Sequence, residues 1–189
     1  MNWLKNMNLP NKLTCLRMVM IVPFIIFMLY GRGEGVYKVL SLVFFIGASF
    51  TDMLDGKIAR SRNLITDFGK FMDPLADKLL VCSALICLVD LDRLPAWVCI
   101  VIIAREFIIS GFRLIASDNG IVIAASYWGK TKTVSQMIMV VMLIIHFTKE
   151  SAPALYYLQN FMIYAACALT VISLCDYIIK NKNVISMQK

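Results

Sequence analysis

Charge is scarce in this chain of 189 residues: Asp, Glu, Lys and Arg together make up 16% of it, against 60% hydrophobic residues. That shortage excludes a soluble domain of this size and predicts a polytopic membrane protein. No polar stretch is long enough to fold apart, so one membrane domain over residues 1–189 is expected. Histidine occurs once, as His146 at the outer end of an apolar run, and reads as an interfacial residue. The cysteines (Cys15, Cys82, Cys87, Cys99, Cys167 and Cys175) all fall inside apolar runs and form no CxxC pair. They read as packing residues, which argues against disulfides and zinc. A cleavable signal pattern is missing too: the first apolar run begins beyond Lys12 and no small-residue cleavage site follows it. Internal repeats, low-complexity segments and nucleic-acid-binding motifs are likewise lacking, so no nucleic-acid partner is expected. The net charge of +7 instead fits loops that face an anionic membrane leaflet.

What the chain does have is apolar runs. Six are predicted to cross the bilayer as helices: about Leu13–Tyr30, Val36 to Asp52, Gly69–Val89, Pro95–Ser117, Ala125 or a little later to His146, and Leu155–Ile179. The segment NWLKNM at residues 2–7 is predicted to form a short interfacial helix, with Trp3 and Leu4 toward lipid. Six spans place both termini on one side. Most Lys and Arg collect there, from Lys5 and Lys12 through Lys57, Arg60, Arg62 and Lys70 to Lys180, Lys182 and Lys189. The opposite loops offer only Arg32, Lys38, Arg93 and Lys149, so the termini are predicted to be cytoplasmic.

Against this background, the stretch from Thr51 to Lys78 stands out. Besides Asp67 it holds two carboxylate pairs, Asp52 with Asp55 and Asp73 with Asp77, spaced i,i+3 and i,i+4 so that each pair shares a helix face. KIARSRNLITDFG between them is long enough to turn the chain round. The second span reaches Asp52 after ~24 Å of helical rise, so both pairs are expected at one depth, on the cytoplasmic side. Two carboxylates ~4 Å apart repel by roughly 4 kcal/mol at an effective dielectric of about 20. Hard divalent cations such as magnesium, manganese or calcium would remove that repulsion. Ion pairs with neighbouring Lys and Arg are the plainer alternative.

Written out, the stretch is Asp52-x2-Asp55-Gly56-x2-Ala59-Arg60-x8-Gly69-x3-Asp73-x3-Asp77. It resembles the complete signature of the CDP-alcohol phosphotransferases, and the likeness extends over nearly the whole chain. The resemblance implies an all-α integral membrane enzyme with its active site in a cytoplasm-facing polar cleft, in a bacterial-type cell membrane. It also implies two divalent cations, magnesium or manganese, held by Asp52, Asp55, Asp73 and Asp77, with Asp77 doubling as general base. Gly56, Ala59 and Gly69 would line the cytidine pocket; alone, such small residues mean only close helix packing. Arg60 would lie near the nucleotide phosphates, or pair with Asp67. Asn11 and Thr14, in NLPNKLT, resemble the first-helix segment of bacterial members; they either border the nucleotide or cap that helix. The likeness further implies a homodimer.

Four cations remain. Arg105 falls near mid-membrane, where snorkelling explains it poorly; Arg113, Lys130 and Lys132 lie nearer the cytoplasm. Glu106 could neutralise Arg105, although adjacent residues point to different sides of a helix. Such cations suit a phosphate-bearing second substrate. AREFIISGFR and WGKTKTVSQM resemble the matching segments of bacterial members whose acceptor is glycerol 3-phosphate. The expected reaction is therefore phosphatidyl transfer from CDP-diacylglycerol to glycerol 3-phosphate. Inositol phosphate, serine or phosphatidylglycerol as acceptor, a magnesium-dependent intramembrane prenyltransferase and a cation transporter are the alternatives.

Overall fold

The computed structural model describes residues 8–61, 67–118 and 126–181, and among these the side chains of all but 9–10, 52–61, 67–71 and 118. The described residues form six helices and no strand: α1 Leu9–Tyr30, α2 Gly35–Ser61, α3 Asp67–Asp90, α4 Ala96–Asp118, α5 Tyr127–Ile145 and α6 Pro153–Lys180. The interfacial helix expected at residues 2–7 lies outside the described residues. α1 begins four residues before the expected span, with Asn8 at its N-cap and Pro10 in its first turn, where a missing N–H costs nothing. Asn11 and Thr14 are therefore inside the helix, and the N-cap position falls to Asn8. α2 runs on through Lys57, Ala59 and Arg60, because nothing in that polar stretch breaks a helix. α3 starts at Asp67, two residues earlier than expected, so Asp73 and Asp77 fall in its second and third turns rather than its first two.

The chain divides into two compact units, Met1–Leu91 and Asp92–Lys189. In the first, α1 packs on α2 and α3, and those two also touch. Ile21, Phe24 and Met28 of α1 are buried with Phe45 and Ala48 of α2 and with Ala76, Leu80 and Ala84 of α3. The Phe24 and Phe45 rings lie 5.7 Å apart. The tight α1–α2 turn needs glycine at position 31, since a Cβ there would fall 2.1 Å from Tyr37 Cβ.

In the second unit α6 packs on α4 and α5. The buried stripe of α4 runs Val98, Ile102, Arg105, Ile109, Ala116, so a guanidinium occupies a position that helical periodicity assigns to the core. Ser126 caps α5, its Oγ accepting from the Gly129 N–H at 3.1 Å. At the other end of α5, His146 takes a left-handed conformation (φ 56°) and its N–H reaches Met142 O. Arg93 Nη1 donates to the carbonyls of Leu143 and Ile144, both at 3.3 Å, answering carbonyls that the helix end leaves open. Gln159 of α6 clasps the backbone of Phe147, accepting from its N–H at 3.2 Å and donating to its O at 2.8 Å.

The outer faces are as apolar as the inner ones. Leu16, Val19, Val22, Ile26 and Leu29 are exposed along α1, Ile100, Phe107, Leu114 and Ile115 along α4, and Phe161, Tyr164, Val171 and Ile179 along α6. Arg17, Arg105 and Lys132 are buried instead. Charge inside and hydrocarbon outside invert the usual order of a soluble protein and match a lipid surround. Two helical stretches, Asn11–Tyr30 and Pro153–Lys180, are long and apolar enough to cross a membrane by length and composition, and Gly35–Thr51 is a shorter apolar stretch.

Candidate active site

One face of α1 carries Asn11, Thr14 and Arg17 at i, i+3 and i+6, all buried, before it turns apolar at Ile21. Thr14 Oγ1 donates to Asp73 Oδ1 at 2.5 Å, tying α1 to α3 across 59 positions of sequence. A hydroxyl on one carboxylate oxygen fixes the carboxylate's rotation and leaves the second oxygen in a set direction. Asp77 is exposed, one turn further along α3. Asp52 and Asp55 lie in α2, just past the apolar segment Gly35–Thr51. Their side chains, and those of Gly56, Ala59, Arg60, Asp67 and Gly69, lie outside the described residues. Arg17 went unremarked as a site residue from sequence, yet it is wholly buried in α1. The regular spacing Asn11–Thr14–Arg17 was the signal that could have revealed it.

The donor set suits a hard cation. Asp73 and Asp77 offer only carboxylate oxygen, Asp73 is already oriented by Thr14, and α2, which carries Asp52 and Asp55, packs against α3.

The second unit holds the cations. Arg105 and Lys132 are buried, 9% and 2% exposed, whereas Arg113 and Lys130 are exposed. Lys130 is only two residues from Lys132, and i,i+2 neighbours do not share a helix face. Arg105 Nη1 pairs with Glu106 Oε1 at 3.0 Å, and Lys132 Nζ pairs with the same oxygen. The contact between neighbours 105 and 106 bears out Glu106 as the partner of Arg105: adjacent residues leave the helix in different directions, but both side chains are long enough to curl together. Arg105 Nη2 donates to Ser173 Oγ of α6 at 2.6 Å. One carboxylate, two cations and a hydroxyl thus join α4, α5 and α6. Asp176, given no chemistry from sequence, pairs with Lys180 at 2.6 Å on α6.

An apolar exterior with buried cations, and two helices long and apolar enough to cross a membrane, mark an all-helical protein suited to a lipid surround. Its relatives narrow the class. The family model of CDP-alcohol phosphatidyltransferases matches residues 7–172. The chain is 45% identical to the CDP-diacylglycerol–glycerol-3-phosphate 3-phosphatidyltransferase of Bacillus subtilis (strain 168), over 92% of this chain and 95% of that protein. It is 40% identical to a probable phosphatidylglycerophosphate synthase of Mycobacterium tuberculosis, over 90% of this chain and 80% of that one. With a CDP-diacylglycerol–glycerol-3-phosphate 3-phosphatidyltransferase of Haemophilus influenzae it shares 36% identity, over 90% and 91%. The chain belongs to the CDP-alcohol phosphatidyltransferase family and is a transferase.

Proposed function

We propose that this transferase moves the phosphatidyl group of CDP-diacylglycerol to the primary hydroxyl of glycerol 3-phosphate, giving phosphatidylglycerophosphate and CMP. The observation that carries the acceptor is the Arg105–Lys132 pair, buried among apolar helices with one shared carboxylate. A guanidinium and an ammonium held close together favour a phosphate-bearing acceptor over a neutral alcohol. The activities for which the bacterial relatives are named support the same reading.

The family is generally dependent on divalent metal. In this chain Asp52, Asp55, Asp73 and Asp77 would hold two such cations, magnesium or manganese. When bound, the ions would offset charge on the pyrophosphate and on departing CMP. Thr14 keeps Asp73 in one orientation. Asp77 takes the proton of the acceptor's primary hydroxyl, whose oxygen attacks the lipid-linked phosphorus in line with the leaving CMP. Gly56, Ala59 and Gly69 leave room for the cytidine, Arg60 attends the nucleotide phosphates, and Asn11 borders the nucleotide from α1. Arg105 and Lys132 hold the acceptor's phosphate. Arg113 and Lys130, exposed, draw the anion in. The working unit in this reading is a homodimer in a bacterial-type cell membrane.

The direct test is CMP release by purified protein in magnesium and detergent–lipid micelles. Release is expected with CDP-diacylglycerol plus glycerol 3-phosphate and not with CDP-diacylglycerol alone. In a panel with inositol phosphate, serine and phosphatidylglycerol, another acceptor turning over faster would replace this one.

The proposal includes six membrane crossings with both termini and the active site cytoplasmic, supported by the asymmetry of Lys and Arg. Single cysteines at Gly120 and Lys189, and at Glu34 and Glu150, in a cysteine-free background that keeps activity, would report it. An impermeant thiol reagent on intact cells is expected to label only Glu34→Cys and Glu150→Cys. Labelling at position 120 from outside would invert the topology.

A further inference from the structure

Glu106 sits midway along α4, where an apolar side chain would be cheaper by far. It is retained against one oxygen's worth of contacts: Oε1 pairs with both Arg105 and Lys132. Arg105 also gives Nη2 to Ser173, while its Nε is buried with no hydrogen-bond partner among the described residues. Gly129 backs the cluster without a side chain; a Cβ there would lie 3.6 Å from Arg105 Nη2 and 3.9 Å from Ser173 Oγ. The cluster therefore sets two buried cations on one carboxylate oxygen, with Arg105 Nε an N–H donor beside them.

An incoming phosphate would need the donors that Glu106 already occupies. The reaction also leaves that phosphate untouched, so the product carries the same phosphomonoester as the acceptor. A site that binds this group too well would hold the product as firmly as the substrate, and such uniform binding gains nothing in turnover. We propose that Glu106 is an internal competitor for the acceptor's phosphate. Its carboxylate holds Arg105 and Lys132 together between turnovers, weakens phosphate binding while the acceptor is present, and takes the cations back as product leaves. This rests on the reading of Arg105 and Lys132 as the acceptor's phosphate site.

Glu106→Gln tests it, because the amide keeps the size and an accepting oxygen but removes the charge. Its KM for glycerol 3-phosphate is expected to fall roughly tenfold, the scale of one charge-assisted contact no longer contested. Its kcat falls as product release slows, and its KM for CDP-diacylglycerol is unchanged. Inorganic phosphate, titrated against melting temperature with divalent cations chelated, should act at roughly tenfold lower concentration on the variant than on the unmodified protein. Glu106→Asp, a methylene short of both amines yet still charged, should shift the phosphate midpoint the same way by about threefold. It decides the matter alone if the Gln variant cannot be purified. An acceptor KM and a phosphate midpoint that stay put or rise would make Glu106 a counterion that only holds the helices, and the proposal would fall. The titration needs no turnover: if Arg105→Ala leaves it unmoved, the placement of the acceptor's phosphate fails instead.

Discussion

Purified Asp73→Asn protein is expected to release CMP at about a hundredth of the unmodified rate or less, and to lose the rise in melting temperature that magnesium gives the unmodified protein. The amide conserves the shape of the side chain and can still accept from Thr14 Oγ1, so packing of α1 on α3 should survive. What goes is the negative charge, and with it several kcal/mol of attraction for a divalent ion. Asp52→Asn and Asp55→Asn should behave alike. Asp77→Asn should be the most damaging, since in the proposed mechanism it would remove a ligand and the proton acceptor together. Near-normal turnover at low magnesium in any of the first three would mean that the carboxylates do not share a two-ion site.

The second large effect belongs to the buried cations. Lys132→Ala and Arg105→Ala should each raise the KM for glycerol 3-phosphate ten- to a hundredfold, the equivalent of one charge-assisted contact of ~1.5–3 kcal/mol. The KM for CDP-diacylglycerol should move far less. Arg105→Ala should do the greater harm, because Ser173 and Glu106 lose a partner with it. Its yield and melting behaviour belong beside its kinetics. Arg113→Ala and Lys130→Ala, at exposed positions, should change the acceptor KM no more than about fivefold, the scale of solvent-screened charges. If the buried pair weakened CDP-diacylglycerol and spared the acceptor, these cations would belong to the nucleotide-lipid substrate.

The helical framework was legible because apolar runs and turn residues alternate so cleanly; GRGEG and Pro95 mark helix boundaries within a few residues. The polar ends were less so. Lys57, Ile58, Ala59 and Arg60 read as a connection by their polarity, yet they are acceptable helix formers, and α2 carries on through them. The pairing of Thr14 with Asp73 could not be foreseen, because no local rule links positions so far apart. The Arg105–Glu106 contact was doubted for the opposite reason. A rule about where Cβ atoms point says little about side chains with three or four rotatable bonds. Burial divided the four expected acceptor cations into two kinds, a distinction that charge and spacing alone do not draw.

α5 is held unequally at its two ends. Arg93 grips the Leu143 and Ile144 carbonyls and Gln159 clasps the backbone just beyond, whereas towards the opposite end Lys132 pairs with Glu106 of α4. Were α5 to pivot about that clamp, it would move as a lever. Lys132 lies eleven residues from Leu143, about 16 Å along the rod, so a tilt of about 5° at the pivot would carry its ammonium root by ~1.4 Å. That stroke is on the scale of the difference between a made and a broken hydrogen bond. With such a pivot, the clamp far from Lys132 would set how far that side chain could travel.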